Sequence, residues 1–295
     1  MIDLLAGFDP GFVRNGTMSL LKATRHTADD RQGIHYGMLR ALGISRARDG
    51  FPVFGESKFG RLRAAESAGM DVIWDACHFD LWHEPSMVEH FGWIGKATRG
   101  RPVKICPMNE PSIVPMMSAD RWSQDFAVQM ALVCIETVLV WNPFATFVSV
   151  DVVNGGGEEQ YRATDALVGT GKISTVGINY YPHDAQAPLS DVIEATWKRY
   201  GLPVLVSETS WHDGHAGQAA AFPQIRNKRG WLEHCLQNAA LAKRNGAVVD
   251  GICWYPITDM PSWDVDGEVW SNGLIRQDLS IDPSLAEVLS WRTGR

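Results

Sequence analysis

Two glutamates stand where apolar runs end, one in Cys106-Pro107-Met108-Asn109-Glu110-Pro111 and one in Val204-Leu205-Val206-Ser207-Glu208-Thr209. A pair of carboxyl groups is what glycosidic bond cleavage requires, because the reaction passes through an oxocarbenium-like state. One carboxyl must give a proton to the leaving oxygen while the other attacks or stabilises the anomeric carbon. Either glutamate alone reads equally well as a strand-end residue capping the next helix. Together, in these contexts, Glu110 and Glu208 point to a glycosidase. Strands of a parallel barrel end on one face, so carboxylates distant in sequence can meet there across a sugar-sized gap.

Other strand ends carry matching chemistry. Arg48-Asp49 close a second run, Cys77-His78-Phe79 a third, Asn109-Glu110 a fourth, Asn179-Tyr180-Tyr181 a sixth and Trp254-Tyr255 an eighth. Hydroxyl-binding donors, an aromatic floor and two carboxylates suit a pyranose. Trp74, Trp82, Trp211, Trp254 and Trp263 lie near this chemistry, where flat apolar faces could stack on sugar rings; core packing is the plainer explanation for tryptophans.

Competing motifs are weaker. His212-Asp213-Gly214-His215 reads as a rim loop rather than a metal pair, His83-Glu84 as rim polarity, and the five cysteines show no paired ligand spacing. Asn154-Gly155-Gly156-Gly157 lacks the Lys-Ser/Thr of a phosphate loop, and Ser207 and Ser210 lack the Gly-x-Ser-x-Gly elbow. Asp151 faces either the site or the core. No metal and no cofactor is expected.

The elements that must position these residues alternate between short Val- and Ile-rich runs and longer stretches of helical period, the pattern of repeated βα units. Strands are predicted at Leu4–Phe8, Ile44–Asp49, Asp71–Ala76, Val103–Met108, Ala145–Val152, Ser174–Asn179, Pro203–Ser207 and Gly251–Tyr255. Helices are predicted from Asp29-Asp30 to Leu42 and over Phe59–Ala68, Pro85–Ala97, Ala119–Val140 with Asp120 as cap, Leu189–Tyr200, Arg229–Arg244 and Pro283–Trp291. Eight strands alternating with helices, and no linker-like segment, imply a single (β/α)8 TIM barrel domain over 1–295 with short rim loops.

Composition agrees. A chain of 295 residues, 45% hydrophobic, is ample for one large core, and a net charge of −7 gives no reason to expect nucleic acid or an anionic membrane as partner. The N-terminus has no basic region before its apolar residues, and Phe126–Trp141 reads as too short and too polar to span a bilayer. The expectation is a soluble cytoplasmic protein with reduced cysteines packed as small hydrophobes. Nothing in the sequence signals an oligomeric state.

This set of residues resembles glycoside hydrolase clan A, and most closely family 1, the β-glucosidase family. The likeness rests on Arg48, Cys77-His78-Phe79-Asp80-Leu81, Asn109-Glu110-Pro111, Gly177-Ile178-Asn179-Tyr180-Tyr181, Ser207-Glu208 and the run from Gly251-Ile252-Cys253-Trp254 through Asp259 to Trp263, with Asn272-Gly273-Leu274 downstream. It implies that Glu110 is the acid/base and Glu208 the nucleophile of a retaining double displacement. It further implies that Asn109 binds the 2-hydroxyl, that Arg48 and Tyr181 hold the nucleophile ionised and oriented, and that His78 binds glycone hydroxyls, with Asn179 beside them. Strand alternation lets only one of Trp254 and Tyr255 face the lumen, and the alignment of Asp259 and Trp263 with the family's last strand favours Trp254 as the platform. The chain departs from the family as well. The family's first-strand Gln is missing from Gly7-Phe8-Asp9-Pro10, leaving Asp9 as its substitute. Ser262 stands before Trp263 where the family has a glycone-binding Glu. Glu208 is followed by Thr209-Ser210-Trp211, and the chain is shorter than a typical family 1 enzyme.

The function expected is therefore hydrolysis of a β-linked glycoside or oligosaccharide through two glutamates. The rival readings are a non-catalytic carbohydrate-binding or regulatory barrel, motivated by the altered glycone contacts, and a metal-dependent barrel hydrolase.

Overall fold

A computed structural model of the chain describes residues 2–8, 31–51, 58–78, 84–118, 120–211, 221–261 and 268–293. Eight strands close into a barrel in chain order: β1 (Leu4–Gly7), β2 (Arg46–Gly50), β3 (Asp71–Asp75), β4 (Lys104–Cys106), β5 (Thr146–Val152), β6 (Ile173–Asn179), β7 (Val204–Thr209) and β8 (Val249–Trp254). All neighbours pair in parallel, and β1 closes the ring by pairing Leu4, Leu5 and Ala6 with Ile252, Cys253 and Trp254. Parallel neighbours need a crossover, and helices supply it. These are α1 (Gln32–Ala41), α2 (Lys58–Ala68), α3 (Glu84–Ala97), α4 (Val114–Met117), α5 (Gln124–Trp141), α6 (Arg162–Val168), α7 (Leu189–Tyr200) and α8 (Lys228–Arg244), with α9 (Pro283–Thr293) closing the chain. The fold is the (β/α)8 barrel that the alternating pattern implies.

Three details differ from the sequence expectation. The helix between β5 and β6 enters through a 3₁₀ turn, Glu158–Tyr161, and α6 is only two turns long, too short for its period to stand out. The long helix α5 starts at Gln124 and is capped by Ser123, whose hydroxyl accepts from the Phe126 amide at 3.1 Å; Asp120, the expected cap, sits upstream with φ of 59°. That same helix has the length and hydropathy of a membrane span, contrary to expectation, but Ala127, Ala131, Cys134 and Val138 along it are buried in the protein.

Side-chain alternation along the strands creates two cores. Leu5, Ile73, Cys106, Val148, Val150, Leu205 and Cys253 fill the barrel interior. The intervening residues, among them Ala6, Val72, Ile105, Val206 and Ile252, pack outward with the helices. Two positions further along four of these strands, the inward face carries Gly7, Asp75, Ser207 and Tyr255 instead of hydrocarbon, so the packed plug ends where a polar floor begins.

Close approach of β5, β6 and β7 depends on Gly177. A Cβ there would lie 2.7 Å from the Ser149 carbonyl oxygen, 2.8 Å from Ser207 Oγ and 2.9 Å from Val150 Cγ2. Overpacking of this kind costs about 1–3 kcal/mol. Gly177→Ala should therefore lower the thermal midpoint by several degrees in a calorimetric scan; an unchanged midpoint would contradict the packing described.

Candidate active site

The two glutamates reach one rim by different local devices. Beyond β4 the chain stays in register with its neighbours: the Asn109 amide donates to the Cys77 carbonyl at 2.9 Å and the Glu110 amide to the Val150 carbonyl at 3.0 Å. Glu110 then adopts φ of 44°, a left-handed conformation unfavourable for a residue with a Cβ. Backbone strain of this sort is held in place by its surroundings, and it concentrates at functional positions. On β7 the pairing shifts between Val206 and Thr209, and Glu208 comes level with Asn179 of β6.

Arg48 organises the floor. Its five N–H groups are all used: Nε donates to Asp75 Oδ1 at 2.9 Å, Nη2 to Asp75 Oδ2 at 2.8 Å and to Asn109 Oδ1 at 2.7 Å, and Nη1 to Glu208 Oε1 at 2.6 Å and the Ser207 carbonyl at 3.3 Å. The other oxygen of Glu208 accepts from Tyr181 OH at 2.8 Å. Burial, helped by the charge of Glu208, pushes the Tyr181 phenol far above its usual range, so it remains a donor. Glu208 is thus a buried carboxylate gripped at both oxygens.

Glu110 is treated differently. Its Oε1 accepts from Asn179 Nδ2 at 2.7 Å, and Asn179 is turned that way because its own Oδ1 accepts from Ser207 Oγ at 2.7 Å. Loss of water around the carboxyl, with the charge of Glu208 next in weight, pushes Glu110 from 4.5 up to about 8 despite the opposing Asn179 bond. One carboxyl held protonated beside one held by a cation is the arrangement that assigns acid and anion roles within a carboxyl pair.

His78 places Nδ1 at 3.1 Å from Asp75 Oδ2 and Nε2 at 3.3 Å from Asn109 Nδ2. Its ring stacks on Tyr255, with centroids 5.9 Å apart and the phenol oxygen 3.5 Å from Nε2. Burial is the largest influence on His78 and pulls its pKa down, but the Asp75 bond and the charge of Glu208 outweigh it, and the net direction is upward.

Of the residues singled out in the sequence, Arg48, His78, Asn109, Glu110, Asn179, Tyr181 and Glu208 are brought together by these bonds. Trp254 is not among them. It faces outward into the helix-side core, fully buried, with Nε1 donating to the Asn272 carbonyl at 2.8 Å. Tyr255 takes the lumen position instead, and Gly7 leaves it room, since a Cβ on Gly7 would lie 2.8 Å from Tyr255 Cβ. Trp74, stacked on Phe51 at 4.6 Å, and Trp211, against Trp231, also belong to the outer core. Asp9, Trp82, Trp263 and the His212–His215 pair lie outside the described residues.

Asp75 was not singled out in the sequence, where it falls inside the strand predicted over Asp71–Ala76. The signal was its parity with inward-facing Ile73. Asp151 follows inward-facing Val150 and so lies on the outer side, where its carboxyl accepts from the Ser112 hydroxyl; burial pushes it up to about 6. The triglycine turn is occupied by its own chain: Gln160 Oε1 accepts from the Asn154 and Gly155 amides at 2.9 and 3.2 Å, and Asn154 Oδ1 from the Gly156 amide at 3.0 Å. Among the described residues, no three His, Cys, Asp or Glu side chains are grouped as metal ligands.

No family model and no curated protein matches the chain. Solved structures do. The barrel is similar to a family 1 β-glucosidase from Thermotoga maritima (TM-score 0.70, 12% identity, 99% of this chain and 97% of that one). It is also similar to the β-glycosidase of Thermosphaera aggregans (0.69, 13%, 98% and 96%) and to a hyperthermophilic β-glucosidase from Pyrococcus furiosus (0.69, 14%, 99% and 95%). At such identities the likeness shows a shared (β/α)8 barrel fold over nearly the whole of both chains.

The elevated Glu110 has a consequence for stability that needs no substrate. The folded protein retains this proton up to about pH 8, whereas an unfolded glutamate releases it near 4.5, so the associated stability is complete below 4.5 and lost as pH rises through 8. Glu110→Gln carries no such penalty. Its thermal midpoint relative to wild type should increase between pH 5 and pH 8.5, by about 2–4 °C for each kcal/mol gained. An equal difference at both pH values would show that Glu110 is not held protonated.

Proposed function

We propose that the chain is a retaining glycosidase acting on a β-linked glycoside, with Glu208 as nucleophile and Glu110 as acid/base. The observation that carries the proposal is the contrast between the two carboxyls: Glu208 is held by Arg48 and Tyr181, while Glu110, with a single amide donor, is pushed up to about 8. The neighbouring β-glucosidase barrels add support at the level of fold.

In the first step Glu110 protonates the glycosidic oxygen as Glu208 attacks the anomeric carbon, releasing the aglycone and forming a glycosyl ester. That ester carries no charge. The share of the Glu110 elevation that came from the charge of Glu208, second to loss of water, therefore disappears when its proton has left, and the carboxylate becomes a competent base for water. Water attack on the anomeric carbon then frees Glu208 and returns the proton to Glu110, with net retention. Asn109 is suited to the 2-hydroxyl and His78 to glycone hydroxyls, both being fixed on the floor. Tyr255 replaces Trp254 as the aromatic beneath the sugar, and Asp9 and Trp263 remain proposed contacts from the rim.

Aryl β-glycosides with good and poor leaving groups test this division of labour. Glu208→Ala should reduce turnover by about 10³-fold or more on both classes, with azide restoring product of inverted configuration. Glu110→Ala should lose about 10²–10⁴-fold on poor leaving groups and little on good ones, which need no proton. In the wild type, kcat/KM on poor leaving groups should fall as pH rises through about 8, where free Glu110 loses its proton. Equal losses in Glu110→Ala on both classes would overturn the acid assignment. Wild-type activity in both variants would favour a non-catalytic carbohydrate-binding barrel.

A further inference from the structure

Asp75 contacts neither glutamate, yet the polar floor converges on it. It ends β3 two residues beyond inward-facing Ile73, next to β2, and is 2% exposed. Its oxygens accept from Arg48 Nε at 2.9 Å, from Arg48 Nη2 at 2.8 Å and from the His78 Nδ1 edge at 3.1 Å. A carboxylate offers about four acceptor sites, and three of these are filled, each by a group that donates to it.

The polarity of these bonds fixes the neighbouring groups in turn. Because the carboxylate only accepts, His78 must carry its hydrogen on Nδ1. Asn109 must turn Oδ1 toward Arg48 Nη2 at 2.7 Å, which leaves Nδ2 to donate toward His78 Nε2 at 3.3 Å. Arg48, Asp75, His78 and Asn109 therefore close a ring in which every donor meets an acceptor when the imidazole is neutral. With one guanidinium facing two carboxylates, Arg48 does not cancel the negative charge of Glu208.

We infer that Asp75 is the positioning residue of this site, orienting His78 by its tautomer and sharing the charge of Arg48 so that the guanidinium does not pair with Glu208 alone. The inference rests on the glycosidase reading for its kinetic consequence, but its structural content stands without it. Asp75→Asn would place an amide N–H against Arg48 or His78 and leave Glu208 as the only carboxylate on the guanidinium.

The direct experiment is ¹⁵N NMR of the His78 side chain in the wild type and in Asp75→Asn. Among the described residues, the groups facing this ring include Asp75, Asn109, Tyr255 and, through charge, Glu208, Arg48 and Glu110. The wild type should show the Nδ1–H tautomer in the neutral form and titrate above 6.5, and the variant should titrate at lower pH than wild type. An Nε2–H tautomer in the wild type would overturn the inference with no variant needed, as would an unchanged His78 titration in Asp75→Asn. In the kinetic arm, kcat/KM of Asp75→Asn should fall on the order of 10–100-fold, as for outer hydrogen-bonding partners of functional histidines. The loss should vary with pH, because the charge state of His78 depends on its bond to Asp75. A uniform loss at every pH would reduce Asp75 to a packing role. Absence of glycoside turnover in the wild type would sink the glycosidase reading alone, leaving the NMR result to decide on Asp75.

Discussion

A guanidinium at 1% exposure has no water to solvate it, so the groups around it decide whether the folded barrel can hold it. Arg48 meets this condition through five hydrogen bonds to Asp75, Asn109, Glu208 and the Ser207 carbonyl. Those acceptors come from β3, the segment after β4, and β7, so the charge ties widely spaced parts of the ring to one centre. Removing any of its carboxylates would strand part of a buried cation, a far larger cost than losing an exposed pair. The positions of Glu208, Asn109 and, through Asp75, His78 follow from satisfying this one side chain.

The hydrocarbon plug beneath has the complementary role. Leu5, Ile73, Cys106, Val148, Val150, Leu205 and Cys253 close the barrel interior and deprive the floor of solvent from below. Low polarity strengthens the ion pair and also raises the cost of a second unpaired anion. Glu208 takes the cation and the Tyr181 hydroxyl; Glu110, with one amide donor and a neighbouring negative charge, keeps its proton. The same burial that stabilises one carboxylate through its partners thus holds the other neutral, and two chemically identical side chains become an acid and an anion. The left-handed backbone at Glu110 shows that this residue is held against local preference.

Much of this was legible in the sequence. Val- and Ile-rich runs bounded by Gly, Pro and Asn gave the eight strands to within a few residues, and polar residues at their ends gave Arg48, His78, Asn109, Glu110, Asn179, Tyr181 and Glu208. What sequence could not supply was sidedness. Pairing shifts between Ile178 and Asn179 and between Val206 and Thr209, and one irregular residue reverses which neighbour faces inward. Trp254 was favoured for the lumen on alignment alone, but it packs outward because Cys253 faces in, which leaves the inward position to Tyr255. Asp75 was missed for a related reason: its importance lies in its parity with Ile73 and its adjacency to Arg48, both properties of the closed ring. The short helix α6 was missed because two turns offer too few residues to show a period.

The central claim is that Glu208 becomes covalently attached to sugar, and trapping that species tests it most directly. A set of 2-deoxy-2-fluoro glycosides with strongly activated leaving groups slows both steps but favours the first, so the glycosyl ester accumulates and can be located by peptide mass spectrometry. The account predicts one added fluoroglycosyl mass on the peptide containing Glu208, and none in Glu208→Ala. A label on any other residue, or steady turnover of the parent glycoside with no label on Glu208, would contradict it.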